Sequence, residues 1–390
     1  MNWSEKISEN VRSVPPSGIR KFFDLANTME GVISLGVGEP DYAAPDKVIQ
    51  ACKESLDARQ TSYTSNLGLI ELRRDIAELF SRRYHVEYDP ASEIIVTAGV
   101  SEAISIAMTA LLNPGDEVLI PDPAYVAYPA CVRFSGGVPV LVPTWEKDSF
   151  RLTVEELEKK VTEKTKILLI GYPNNPTGTV MDRESLMKIA EFAVKHDLIV
   201  ISDEIYCDLT YEGEHVCAAS LPGMKERTIV LNGFSKSYAM TGLRIGYLCA
   251  PKEAVESIFK VHQYEILCAS ATSQYGAIAA LEQCDEDVKA MCKEYAARRV
   301  MVYEGLRGMG LPVFEPKGAF YAFPDITCTG MDDEEFSEAL IREEKVGVVP
   351  GSCFGEQGRG HVRISYAASR EDLKEALERI GRFVARHKKK

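Results

Sequence analysis

Leu198-Ile199-Val200-Ile201-Ser202-Asp203-Glu204-Ile205-Tyr206 decides how this chain is read. A continuous apolar, β-branched run fits a strand covered on both faces, since a half-exposed strand would alternate with polar residues. The run stops at a serine, two carboxylates and a tyrosine. Glu93-Ile94-Ile95-Val96-Thr97, Glu117-Val118-Leu119-Ile120, Lys166-Ile167-Leu168-Leu169-Ile170 and Thr228-Ile229-Val230-Leu231 repeat the figure. Between them, Ser101 to Leu112 and Asp182 to His196 fit helices of right-handed crossovers. The pattern predicts an α/β fold, a parallel sheet with helices on both faces.

Ligands in such sheets bind beyond the carboxyl ends of the strands. There the chain places Ala98-Gly99-Val100-Ser101, Tyr172-Pro173-Asn174-Asn175-Pro176-Thr177-Gly178, Asp203-Glu204-Ile205-Tyr206 and Asn232-Gly233-Phe234-Ser235-Lys236. Polar and turn-forming groups at consecutive strand ends predict one shared site. Beyond Lys236 the chain continues Ser237-Tyr238-Ala239-Met240-Thr241-Gly242-Leu243-Arg244-Ile245-Gly246. A hydroxyl residue before the lysine and an arginine beside glycines after it suit an amine that forms a carbon–nitrogen double bond next to a cation that holds phosphate.

The C-terminal part has a different texture. Ala319 to Phe323, Val346 to Val349 and His361 to Tyr366 read as strands mixed with helices, and Ser369-Arg370-Glu371-Asp372 predicts a capping box opening the last helix. The expected division is a large domain over 46–280 and a smaller α+β domain made from 1–45 and 281–390, with the N-terminal segment packed on the C-terminal part.

With 390 residues, 45% hydrophobic and 26% charged, the chain can bury a substantial core. A net charge of −13 and a pI near 5.2 argue against a nucleic-acid partner, which needs a cationic footprint. The basic end Arg386-His387-Lys388-Lys389-Lys390 is short and fits the end of a helix, where cations meet the dipole favourably. Met1 to Asn10 mixes polar and charged residues without an apolar centre, so no secretory leader is expected. No run is apolar for long enough to predict a membrane span. The ten cysteines are scattered, without C-x-x-C pairs or cysteine–histidine clusters. That pattern predicts no metal site and no disulfide framework, and free thiols fit a reducing cytoplasm.

In order and spacing, these motifs resemble the class I aminotransferases, the pyridoxal-phosphate enzymes of fold type I. The resemblance runs from Gly36-Val37-Gly38-Glu39-Pro40-Asp41 to Val362-Arg363-Ile364-Ser365. In style it is similar to archaeal and bacterial aromatic, aspartate or N-acetyl-diaminopimelate aminotransferases. It implies a large domain with a mostly parallel seven-stranded sheet, pyridoxal 5'-phosphate as cofactor, and a homodimer with a shared site. Lys236 would be the Schiff-base lysine and then the general base. Asp203 would face the cofactor's ring nitrogen, and Tyr206 and Asn175 its phenolate oxygen. Arg244, Ser235 and the N–H groups of Gly99, Val100 and Ser101 would hold its phosphate. Tyr125 would stack on its ring, and Tyr63 would reach the phosphate of a neighbouring subunit. Arg363, with Gly38 and Asn175, would receive the substrate's α-carboxylate. Glycine stands at 233, where many relatives carry serine, which implies one phosphate hydroxyl fewer.

Each residue also has a plain alternative. Lys236 could be a surface lysine, Asp203 a cap, Asn175 a turn former, Tyr125 a core aromatic and Arg363 an edge arginine. Cys207 and Cys353 read as small buried fillers.

The implied reaction is a ping-pong exchange of an amino group between an L-amino acid and a 2-oxo acid, with 2-oxoglutarate as acceptor. Serine occupies position 101, where some aspartate-preferring relatives carry lysine. Ile19, Tyr63, Tyr128 and Tyr264 are candidates for an apolar pocket, which favours aromatic donors. The rivals are a carbon–sulfur β-lyase on the same scaffold and a non-catalytic binding module, the latter at odds with the acidic charge.

Overall fold

A computed structural model describes residues 1–16, 18–27 and 29–388, so Lys389 and Lys390 of the basic end lie outside the described residues. In chain order the strands are β1 (Ile33–Ser34), β2 (Ile94–Thr97), β3 (Glu117–Asp122), β4 (Val138–Pro143), β5 (Thr165–Gly171), β6 (Ile199–Asp203), β7 (Thr228–Gly233), β8 (Gly246–Cys249), β9 (Tyr321–Ala322), β10 (Val346–Gly347), β11 (Val349–Pro350) and β12 (Val362–Ser365). Seven of them form one sheet in the order β2-β8-β7-β6-β5-β3-β4.

The apolar runs are continuous because both faces of this sheet are covered. Along β5, Ile167 and Leu169 pack with Ala103, Ile106 and Ile258 of the helices Val100–Leu111 and Lys252–Glu265. Leu168 and Ile170 point the other way, to Leu186, Ile189 and Phe192 of the helix Arg183–Lys195. The latter helix is capped by Asp182, whose side chain accepts from the Ser185 N–H at 2.8 Å.

One strand departs from the parallel reading of the apolar runs, within the mostly parallel seven-stranded sheet that the resemblance implies. β8 runs antiparallel to both β2 and β7, so the sheet is mixed. The link 234–245 holds only a short 3-10 turn at Thr241–Leu243 and no helix of the kind that carries a parallel crossover. The chain therefore reverses at the carboxyl end of β7, and Lys236 and Arg244 stay at the same end of the sheet. β4 escaped the sequence reading because Pro139 and Pro143 argue against a strand. It lies at the sheet's edge, where proline is tolerated.

Elsewhere, β1 pairs with β10, and β11-β12-β9 form an antiparallel sheet. The stretch read as one strand, Val346 to Val349, is two short strands that serve different sheets. Phe320, Phe336, Phe383 and Tyr295 centre the core shared by the helices Asp285–Gly308, Asp333–Glu344 and Arg370–His387. At the last helix Ser369 Oγ accepts from the Asp372 N–H at 3.0 Å but also donates to Asp372 Oδ2 at 2.8 Å. The reciprocal half of the expected capping box is thus replaced, because aspartate is a methylene shorter than glutamate. A full capping box forms instead at Asp332 and Glu335. No described helix is long and apolar enough to cross a membrane.

Glycine at 233 has a packing reason. Gly233 and Gly246 face each other across β7 and β8, and a Cβ on Gly233 would lie 2.8 Å from the Gly246 Cα. A Cβ on Gly246 would in turn lie 2.9 Å from the Gly99 carbonyl carbon and the Val100 nitrogen. The sheet and the start of the helix Val100–Leu111 approach through these glycines. Gly246→Ala is therefore expected to cost about 1–3 kcal/mol of folding stability by overpacking, read as a lower urea midpoint at unchanged slope.

Candidate active site

The strand ends converge as their sequence foretold, and a segment from each end of the chain joins them. Lys236 donates from Nζ to the Gly38 carbonyl at 2.6 Å. Its nitrogen lies 5.7 Å from the Tyr206 ring centre and 5.8 Å from that of Phe320. Burial, and then the positive charge of Arg363, lower its pKa to about 8, with Glu39 and Asp203 acting in the other direction. At neutral pH about one lysine in ten then carries a free lone pair, against fewer than about one in a thousand for an ordinary lysine. An amine so placed is a nucleophile and a base.

Asp203 closes β6 and is buried. Its Oδ2 accepts from the Tyr128 hydroxyl at 2.8 Å and its Oδ1 from the Ile205 N–H at 3.2 Å. Burial nevertheless pushes its pKa up to about 6, the two hydrogen bonds opposing the rise. The carboxylate has donors but no bonded cation, so it is short of positive charge. Gly171 makes room for this pair, since a Cβ there would lie 2.5 Å from the Tyr128 hydroxyl. Tyr125 meets Tyr128 edge to face, 5.6 Å between ring centres at 87°.

Arg363 lies on β12 and is 2% exposed. Nη1 donates to Asn175 Oδ1 at 2.8 Å and Nη2 to the Gly36 carbonyl at 2.6 Å. The guanidinium sits 4.5 Å from the Tyr321 ring centre and 4.8 Å from that of Phe354. Its Nε has no protein partner, and further N–H hydrogens remain for an incoming carboxylate. Gly38 faces the same place, because a Cβ there would lie 3.0 Å from the Tyr321 hydroxyl and 3.7 Å from Arg363 Nη2.

A second cation faces a helix start. Gly99 precedes the helix Val100–Leu111 with a φ of +82°, a backbone form that glycine adopts without strain. Arg244 donates to the Thr241 carbonyl at 3.0 Å and the Ala98 carbonyl at 3.5 Å. A Cβ on Gly99 would lie 2.8 Å from Arg244 Nη2. At the strand ends here Ser101 is exposed, and Val100 and Ser235 are half-buried. Behind the loop, Glu102 accepts from the Ala98 N–H and from His262 Nδ1, and His262 Nε2 reaches the Asn66 carbonyl at 2.7 Å.

The four proposed pocket residues do not meet. Tyr128 is committed to Asp203, Ile19 packs with Phe354 and Phe323, and Tyr63 and Tyr264 are 81% and 86% exposed. Tyr321, Phe354 and the Tyr128–Asp203 bond were missed as site features. Tyr321 looked like any aromatic in a buried strand, and only its polar tip hinted otherwise. Cys207 is buried and Cys353 partly so, and among the described residues all ten cysteines are unpaired. Spacing also gave no sign that Glu146, Asp325 and His361, from three distant segments, bring ligand atoms within 4.8 Å of one another.

The position of Asp203 has a thermodynamic consequence. Its carboxyl titrates near 6 in the fold and near 4 in the unfolded chain, so between these values the folded chain holds the extra proton. Stability therefore falls as pH rises through that window, and the deficit remains above it. Asp203→Asn protein free of small molecules is expected to be more stable than its parent at pH 7 by about 1–3 kcal/mol. The two should converge near pH 4 in urea titrations, and a gap that is the same at both pH values would refute the account.

A family model described as aminotransferase class I and II matches residues 30–380. The aspartate aminotransferase of Pyrococcus abyssi is 50% identical, over 98% of this chain and 99% of that protein. The aromatic-amino-acid aminotransferase 2 of Thermococcus litoralis is 47% identical over the same shares. Among solved structures, an aromatic aminotransferase from Pyrococcus horikoshii superimposes with a TM-score of 0.90 at 47% identity, covering 94% of this chain and 99% of that one. The chain belongs to the class I and II aminotransferases and is an α/β enzyme of fold type I that transfers amino groups.

Proposed function

We propose that the enzyme uses pyridoxal 5'-phosphate to move the amino group of an aromatic L-amino acid to 2-oxoglutarate. The observation that carries this is the meeting of an amine near pKa 8, a buried carboxylate without a cation, and a ring-sandwiched guanidinium with free donors. The residues present fit the cofactor. Asp203 suits a protonated ring nitrogen, whose charge would relieve the burial that raises its pKa. Tyr206 and Asn175 suit a phenolate oxygen, and Tyr125 suits the ring face. Arg244, Ser235 and the N–H groups of Gly99, Val100 and Ser101 suit a phosphate at a helix start. When bound, the cofactor supplies an electron sink for charge left on the substrate's α-carbon.

In this reading Lys236 would hold the cofactor through its amine, and the same amine, when free, would remove the proton from the substrate Cα. Arg363 grips the α-carboxylate, with Gly38 and Asn175 beside it, and so orients the Cα–H bond toward Lys236. For the side chain, exposed Ser101 brings no cation to a distal carboxylate, which favours an aromatic donor. Relatives of nearly equal identity carry aromatic and aspartate names, so identity does not choose between them. The large exposed faces of Tyr63 and Tyr264 support a homodimer in which Tyr63 completes the neighbour's phosphate site. One hydrophobic cluster lies wholly within 46–280, and another draws mainly on 281–390 with Leu35 while borrowing Ile205, Tyr206 and Leu209, which supports units of 46–280 and of 1–45 with 281–390 that share a border. The unpaired cysteines support a cytoplasmic enzyme.

Borohydride reduction of the purified protein, followed by peptide mass analysis, should place a pyridoxyl group on Lys236. A label on another residue, or none, would overturn the reading. Arg363→Lys should lower kcat/KM by about 2–5 kcal/mol in transition-state binding, since lysine cannot copy the planar fork. In a donor panel with 2-oxoglutarate, phenylalanine and tyrosine should outpace aspartate, and a tenfold lead for aspartate would reverse the substrate choice.

A further inference from the structure

We propose that Tyr321 is a positioning residue that acts through Tyr206, donating its hydroxyl hydrogen so that the hydrogen of Tyr206 stays free for the cofactor's phenolate oxygen. The proposal rests on the cofactor reading above.

The two hydroxyl oxygens are 2.8 Å apart and both side chains are buried. Burial holds both phenols above their ordinary range, so each keeps its hydrogen at neutral pH. Two hydrogens and one mutual bond leave one hydrogen to point elsewhere, and the surroundings decide which. Arg363 lies 4.5 Å from the Tyr321 ring centre, nearer than Lys236 Nζ comes to that of Tyr206, at 5.7 Å. A guanidinium over a phenol ring draws electron density from it and makes its O–H the better donor. The Tyr321 hydroxyl also faces the Gly38 Cα, where an added Cβ would lie 3.0 Å away, and a carbon offers no acceptor. Tyr321 therefore gives its hydrogen to Tyr206, and the hydrogen of Tyr206 turns outward. Ring packing fixes the arrangement. Tyr206 meets Tyr321 edge to face at 5.9 Å and 76°, and Phe320 at 5.5 Å and 83°. Tyr206 is thus a donor whose own oxygen is already receiving a hydrogen bond, and such chains strengthen their outer bond.

The test reads the cofactor's visible band rather than turnover. The pH midpoint of that band in the lysine-bound state reports how tightly the phenolate oxygen shares its proton. Weaker donation to that oxygen makes it more basic and raises the midpoint. Tyr206→Phe should raise it by about 1–2 pH units. Tyr321→Phe keeps the ring beneath Arg363 and should raise it by about 0.2–0.6 pH unit. In the Tyr206→Phe background, Tyr321→Phe should add nothing. Melting temperatures confirm folding, and p-fluorophenylalanine at position 321, which keeps the ring and fills the hydroxyl's place without its hydrogen, gives the same readout if the phenylalanine variant fails to fold. No shift from Tyr321→Phe, or an equal shift in both backgrounds, overturns the proposal while leaving the cofactor reading intact. A parent protein that binds no pyridoxal phosphate overturns both.

Discussion

Arg363 is a buried cation, and much of the site is arranged around it. Taking a guanidinium out of water costs several kcal/mol unless its donors are used and its charge is compensated. Here the Tyr321 and Phe354 rings cover its faces, while Asn175 and the Gly36 carbonyl take two of its hydrogens. These groups come from a β5 end loop, the N-terminal segment and the C-terminal half of the chain. One charge thus fastens three remote parts of the sequence. The same charge adds to burial in lowering the pKa of Lys236, and so helps to make a nucleophile of an amine that would be protonated in water.

Asp203 is the counterweight at the other end of the site. It holds its carboxylate with a tyrosine and a backbone N–H rather than with a cation. The result is a charge deficit on the anion and a charge surplus at Arg363, with Lys236 between them. A zwitterionic amino acid and a cationic heteroaromatic ring match this distribution. Stability is sacrificed locally so that binding can recover it, a pattern usual at functional sites.

The glycines show how the backbone permits this. Gly171, Gly38, Gly99 and Gly246 each leave space that a Cβ would fill with a hydroxyl, a guanidinium or another main chain. Gly233 belongs to the same group, which is why packing against β8, and not phosphate binding, accounts for that residue.

The sheet was legible in the chain because apolar runs buried on both faces look unlike anything else, and the candidate residues were legible because strand ends concentrate polar groups in sequence. Lys236, Asp203, Tyr206, Asn175 and Arg244 all stand in such motifs. Local pattern could not reveal the antiparallel β8, the edge strand β4, or the separate sheets served by β10 and β11, because strand direction and pairing depend on partners far along the chain. Nor could it reveal that Tyr128 belongs to Asp203, that Tyr321 bridges Tyr206 and Arg363, or that Tyr63 and Tyr264 lie on the surface. The sequence by itself determined the element types and the kinds of group at the site, since these follow from periodicity and side-chain chemistry. Tertiary structure alone decided which groups share a hydrogen bond and which charges go uncompensated, because those depend on distances between residues that only folding brings together.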